Sequence, residues 1–417
     1  MIINGKRLWD DIMSLGKVGA EKNGGVTRTS FDPQDIEARK YLLRLLEKEQ
    51  LNPYMDEAGN IFGQLIGENP ELPAILIGSH IDTVKSGGRF DGAMGVLMGV
   101  EVLRSLKESG MKLGRTVKVV SLTDEEGARF DYAFVGSSAL VGIDTLKDDL
   151  TKAADQEGTS YFEAMKNVRL EGGYFKNINP EQIEKAKIQK SDVKAYIEVH
   201  IEQGKVLEGK DLGVGIVNGI SGGDWSEVTI LGEAGHAGTI GMTERKDALA
   251  AASECILAIE RIARESNGSV ATVGKMEVKP GSSNVIPGRV DFTLDVRDIS
   301  DERRRETVKR IYNSIQEMVD IRGLKAEIRP IQSALSVMSS KTVVHAIQTA
   351  LEELDYPIHQ LPSGAAHDGM IMGELTDIGM LFIRSQNGIS HHPDEWSSYE
   401  DVALGCEVLY RSILRLL

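Results

Sequence analysis

Aromatic residues make up only 5% of this chain, cysteine occurs twice, and no apolar run is long enough to cross a bilayer. Few aromatic rings leave little to stack on nucleic acid bases. Cys255 and Cys406 both fall in stretches that read as helices, so no disulfide framework is expected and a reducing cytoplasm is the expected location. The opening stretch, MIINGKRLWDDIMSLG, is amphipathic and helical rather than a charged region followed by an apolar core, which argues against a signal peptide. Positive charge is also short. A formal net charge of −15 repels polyanions and acidic membrane surfaces, so neither nucleic acid nor membrane is an expected partner. No repeat or low-complexity linker interrupts the chain.

What remains is ordinary globular material: 417 residues, 41% hydrophobic and 27% charged, enough for two domains. A helical pattern over about 34–50 leads into alternating elements. Short strands are predicted at Ala74–Gly78, Thr116–Leu122, Val193–Ile201 and Gly379–Ser385, with helices over 93–109 and about 399–416. This order predicts an α/β domain with a mostly parallel sheet covered on both faces. The stretch 213–328 reads differently: two strands, a helix near 244–266, strands near 270–279 and 289–298, a helix near 302–322, then a strand. That is the order of an antiparallel α+β sandwich. The expected organisation is a discontinuous domain, 1–212 and 329–417, interrupted by an inserted domain over 213–328.

Five motifs carry chemistry. GSHIDTV (78–84) follows a strand and offers His80, with Asp82 close enough to orient its ring. GGRFDGAMG (87–95) places Asp91 before a helix, where it either caps that helix or bridges two cations. TDEEGARF (123–130) sets three successive acids at a strand end, an arrangement that repels itself unless something positive sits among the acids or the loop is solvated. Adjacent Glu125 and Glu126 suit a division of labour, one ligating a metal while the other takes a proton from water. In YIEVHIEQG (196–204), Glu198, His200 and Glu202 share one strand face, which calls for a partner such as a metal. GISHHPDEW (388–396) brings His391 and His392 to another strand end. Three imidazoles among carboxylates suit zinc, manganese, cobalt or nickel better than calcium or magnesium.

These motifs, with AGHAGT, NVIPG, LDVRD and SGAAHD, resemble in order and over nearly the whole chain the N-carbamoyl-L-amino acid hydrolases and their relatives allantoate amidohydrolase and β-ureidopropionase. That family belongs to the aminoacylase and carboxypeptidase group of dinuclear metallopeptidases. The resemblance implies two divalent ions, with His80 and His200 on one, Glu126 and His391 on the other, and Asp91 bridging. Asp82 would orient the first histidine and Glu125 would be the base. His392, at the variable position of the motif, would be a surface residue.

The resemblance further implies a ferredoxin-like inserted domain that acts as lid and homodimer contact. His236 would polarise the scissile carbonyl, Asn284 and Arg297 would grip a substrate carboxylate, and Gln203 would bind the ureido group. Ser363, Gly364, His367 and Asp368 would form a binding loop. For Arg297 an ion pair with Asp295 or Asp298 competes, and for His236 a satisfied turn. The expected activity is hydrolysis of N-carbamoyl-L-amino acids to amino acid, carbon dioxide and ammonia. Allantoate amidohydrolase is the near alternative, and an N-acyl hydrolase or peptidase the remote one.

Overall fold

A computed structural model describes residues 2–168, 170 and 180–417. The chain forms two compact units: Met1–Asn218 with Ser339–Leu361 and His367–Leu417, and Gly219–Met338 with Pro362–Ala366.

The first unit is built on a mixed sheet. Four strands at its centre are parallel, in the order Val117–Leu122, Ala74–His80, Val193–Ile201, Asp377–Ile383. Both flanks are antiparallel: Ile61–Leu65 and then Tyr54–Met55 on one side, Val214–Ile220 on the other. The central strands are continuous apolar runs because helices cover both faces; Ala74–His80 is buried along its whole length. The flanking strands Tyr54–Met55 and Ile61–Leu65 escape the sequence reading. They are two and five residues long, too short to show a period, and their register comes from pairing rather than pattern.

Helices start where capping residues stand. Asp32 accepts from the amides of Gln34 and Asp35 ahead of Pro33–Lys48, and Ser398 caps Tyr399–Leu416 by accepting from Asp401. The helix Ala93–Glu108 is different, being buried from Ala93 to Leu106. Its glycines at 95 and 99 lie one turn apart on the sheet side. A Cβ at Gly95 would fall 2.2 Å from the Val199 carbonyl oxygen, and one at Gly99 would fall 2.6 Å from a Val119 methyl. Bare backbone therefore lets this helix lie directly on the central strands, which fixes where the residues just before it, Asp91 and Gly92, stand. Each fully buried Val or Leu along it, such as Val100 and Leu103, contributes about 1.5–3 kcal/mol of hydrophobic stabilisation.

The second unit follows the order β-α-β-β-α-β. Its antiparallel sheet runs Met276–Lys279, Arg289–Asp298, Gly222–Leu231, Lys325–Ala334, and the helices Ala248–Glu265 and Asp301–Ile321 cover one face. That strand order is the ferredoxin-like one. Along Arg289–Asp298 the buried residues Val290, Phe292, Leu294 and Val296 alternate with more exposed ones, as one covered face requires. The boundaries differ from 213 and 328. Val214–Ile220 pairs with Asp377–Ile383 and so begins in the first unit, whereas Lys325–Ala334 continues its pairing with Gly222–Leu231 past residue 328. Among the described residues, no helix is long and apolar enough to cross a membrane.

Candidate metal centre

Parallel strands carry their carboxyl ends to one side of a sheet, and here that side collects histidines and acids. His80 ends Ala74–His80, Glu125 and Glu126 follow Val117–Leu122, His200 is the penultimate residue of Val193–Ile201, and His391 follows Asp377–Ile383. Asp91 enters from above at the start of the helix Ala93–Glu108. Asp124 turns the chain at positive φ (55°), a conformation aspartate tolerates, immediately before the two glutamates.

Asp91 is central to the arrangement. Its Oδ1 lies 3.0 Å from His200 Nδ1 and its Oδ2 lies 3.1 Å from His391 Nε2, one oxygen toward each histidine. Glu126 Oε2 stands 3.5 Å from the same His391 nitrogen. His80 Nε2 lies 3.6 Å from Glu125 Oε2. Donor atoms of Asp91, Glu126 and His391 form one group within 4.8 Å of one another, and those of His80, Glu125 and His200 form a second. The structure thus brings together the residues expected as ligands and also the residue expected as base.

Burial acts on these groups before any charge does. It pushes the Glu125 carboxyl well above its ordinary range, with Glu126 and further acids adding repulsion. Glu126 is raised to about 8 by burial and by Asp91. Burial would raise Asp91 as well, but hydrogen bonds from His200 and His391 outweigh it and hold Asp91 well below the usual carboxylate range. His391 is raised to about 9, first by its bond to Asp91. His80 is lowered by burial, which keeps its ring neutral and able to ligate. A pocket of acids this poorly neutralised fits divalent cations, and its mixed nitrogen and oxygen donors fit borderline ions.

Surrounding contacts orient the ring donors. His80 Nδ1 lies 3.0 Å from the Asp82 carbonyl oxygen and farther, 3.7 Å, from the Asp82 carboxylate. That carboxylate accepts instead from the amides of Glu125 and Glu126, at 3.4 and 3.1 Å. Asp82 therefore holds the ring through its backbone and the glutamate pair through its side chain. His200 Nε2 lies 3.0 Å from Glu198 and 2.9 Å from Ser79 Oγ, which leaves Nδ1 facing Asp91. Glu198 is fully buried, and its other oxygen accepts from Gly369 N at 2.7 Å. Glu202, the third polar residue of that strand face, turns out to be a cap: it accepts from the amides of Val206 and Leu207.

The residues expected on the substrate side divide between the units. Gln203 donates to Asp91 Oδ2 at 3.1 Å and to Ser390 Oγ, and the buried His367 ring sits 4.3 Å from that of His200. Asp368 is buried and accepts from Ser137 Oγ. His236, Asn284, Arg297, Ser363 and Gly364 belong to the second unit. There His236 pairs with Val285, and the Asn284 carbonyl accepts from Ala237 N, so His236 and Asn284 are neighbours on a two-stranded ladder. Both are exposed. Arg297 makes the competing ion pair, with Asp295 at 2.8 Å, and donates to the Gly364 carbonyl at 2.9 Å. Ser363 is buried, with Oγ donating to the Ala365 carbonyl. His392 is exposed.

Comparison with known proteins agrees in extent. The protein named N-carbamoyl-L-amino acid amidohydrolase in Geobacillus stearothermophilus is 43% identical over 415 residues, 100% of this chain and 99% of that one. Allantoate deiminase of Arabidopsis thaliana is 35% identical over 412 residues, 92% of this chain and 77% of its own. The crystal structure of an amidase of the hydantoinase/carbamoylase family from Burkholderia multivorans superposes with a TM-score of 0.90 at 32% identity, covering 99% of this chain and 97% of that one. The pattern that defines peptidase family M20/M25/M40 matches residues 76–415, and the chain belongs to that family.

Proposed function

We infer that this protein is an amidohydrolase that cleaves the carbamoyl C–N bond of N-carbamoyl-L-amino acids, releasing the L-amino acid, carbon dioxide and ammonia. The observation that carries the reading is Asp91, with one oxygen toward His200 and the other toward His391, beside the buried Glu125 and the half-buried Glu126. The full-length 43% identity to an N-carbamoyl-L-amino acid amidohydrolase supports the substrate class.

His80 and His200 would hold one divalent ion and Glu126 and His391 a second, with Asp91 serving both. Zinc, manganese, cobalt and nickel suit these donors. When bound, such ions supply a polarised water and a Lewis acid for the carbamoyl oxygen. Glu125 takes the proton from the attacking water, and its raised pKa suits a group that must then give the proton up. Water oxygen bonds to the carbamoyl carbon, the bond to the amino nitrogen breaks, and Glu125 delivers the proton to that nitrogen. The carbamate so released decomposes to carbon dioxide and ammonia. Gln203, half-buried beside Asp91, binds the ureido group, and Ser363, Gly364 and His367 belong to the binding loop.

To the second unit we assign His236 for polarising the carbonyl and Asn284 and Arg297 for the substrate carboxylate, arginine's planar fork matching a carboxylate at two points. We also assign it the lid and homodimer roles; Leu257 and Ile321 stand 67% and 85% exposed on its helices. Cys255 and Cys406 are buried and unpaired, which supports a cytoplasmic location.

The close rival is allantoate amidohydrolase, supported by the 35% identity to an allantoate deiminase. Ammonia release from N-carbamoyl-methionine, allantoate and a dipeptide, measured on one metal-loaded preparation, separates the readings. The carbamoyl amino acid is expected to turn over fastest. Cleavage of the dipeptide alone would overturn the ureido assignment.

A further inference from the structure

The segment Ile389–Trp396 reaches Asp91 at both of its ends. Ser390 Oγ donates to Asp91 Oδ2 at 3.2 Å, and His391 Nε2 lies 3.1 Å from the same oxygen. Four residues beyond His391, the Glu395 carboxylate accepts from the backbone amides of Phe90 (2.8 Å) and Asp91 (3.1 Å) through one oxygen. Glu395 is 1% exposed, and its second oxygen has no hydrogen-bond partner among the described residues. Burying a half-satisfied carboxylate is an expensive way to fasten a loop, since water would satisfy the same two amides at the surface. The chain also makes room for it. A Cβ at Gly88 would fall 1.9–2.2 Å from the Glu395 carboxyl atoms, so the second glycine of SGGRFDG is the space in which that carboxylate lies.

We propose that Glu395 is a positioning residue that acts through Asp91: it fixes the backbone from which the Asp91 carboxylate spans His200 and His391, and so couples occupation of the two ion sites. The inference rests on the two-ion reading above. A carboxylate that merely pinned a surface loop would affect both sites little and equally. One that sets the stance of the bridging residue affects chiefly the ion that depends on the bridge.

The test uses the full chain, stripped of metal and titrated with Zn²⁺ and separately with Mn²⁺ by calorimetry, with bound ions counted after dialysis. Glu395→Gln keeps an oxygen that accepts both amides and is expected to bind two ions as the wild type does. Glu395→Leu keeps the volume but not the acceptor, and is expected to hold the first ion and weaken the second by roughly 10- to 100-fold. Glu395→Leu with wild-type affinity for both ions overturns the inference. A wild type that binds fewer than two ions overturns the two-ion reading and the inference with it. Should Glu395→Leu not fold, Gly88→Ala decides: it presses on the carboxylate without removing it, and must show the same selective loss. Two wild-type affinities in Gly88→Ala would equally overturn the proposal.

Discussion

Replacing Gly92 by alanine isolates the geometry of the metal centre in a single methyl group. Gly92 precedes the helix Ala93–Glu108 at φ 59°, ψ −57°, a conformation that side-chain-bearing residues avoid. A Cβ there would lie 2.3 Å from His80 Nε2 and 2.4 and 2.5 Å from the two adjacent ring carbons. Ordinary contact begins roughly 1 Å farther out, so the ring must move by about that much. It has nowhere to go, because His80 is 1% exposed and is held from behind through Nδ1. Misplacing a reacting group by about 1 Å costs roughly 10²-fold in rate. The expected result is a fall in kcat/KM of about that size and loss of tightly bound metal. Backbone strain adds about 1–3 kcal/mol of destabilisation. Gly110→Ala is the control: it also sits at positive φ (66°), but its Cβ would meet nothing within 4 Å. Both variants should melt earlier than the wild type, and only Gly92→Ala should lose metal and activity. If Gly92→Ala kept both, Gly92 would not be the constraint on His80 inferred from its position.

Glu125→Gln is expected to lower kcat by roughly 10² or more while metal content by elemental analysis stays at the wild-type level; unchanged turnover would remove Glu125 as the base. Arg297→Lys should raise KM for a carbamoyl amino acid more than it lowers kcat. An unaltered KM would leave Arg297 its ion pair with Asp295 and its bond to the Gly364 carbonyl. The metal-free protein should lose stability as pH rises from about 6 to 9. His391 and His200 carry folded-state values of about 9 and about 10, and Glu126 one of about 8, so the folded chain holds protons that the unfolded chain has released. Asp91, shifted the other way, loses its contribution only in acid. Melting temperatures of the chelator-treated protein should therefore decline across this range, and a flat or rising trend would contradict the assignment.

The clustering of His80, Asp91, Glu125, Glu126, His200 and His391 was legible because each stands at a strand or helix end, and a parallel sheet forces such ends to one side. The strand expected near 289–298 was legible too, and it spans Arg289–Asp298. Roles that depend on a particular oxygen or a distant amide were not legible. Glu198 and Glu202 were expected on one strand face, yet one meets His200 and the other, just past the strand's end, caps the turn at Val206. Asp82 grips His80 by its carbonyl, a choice made by a loop rather than by spacing. Glu395 stood in GISHHPDEW with no role assigned to it, and only the fold brings it against residues 90 and 91, some 300 positions earlier. The strands around residues 54 and 61 were hidden for the same reason: segments of two and five residues become strands when a neighbour offers its amides.

The strand Asp377–Ile383 lies inside its sheet, between Val193–Ile201 and Val214–Ile220. A ribosome delivers both neighbours long before it delivers the strand that separates them, with the whole second unit synthesised in between. Without that strand its two neighbours would have unpaired backbone along the facing edges, the kind of surface that recruits other chains. The same late segment brings His391, the histidine beside Glu126 and Asp91. The last stretch of chain therefore closes the sheet and completes the ligand set in one event, which ties the quality of folding to the readiness of the catalytic centre.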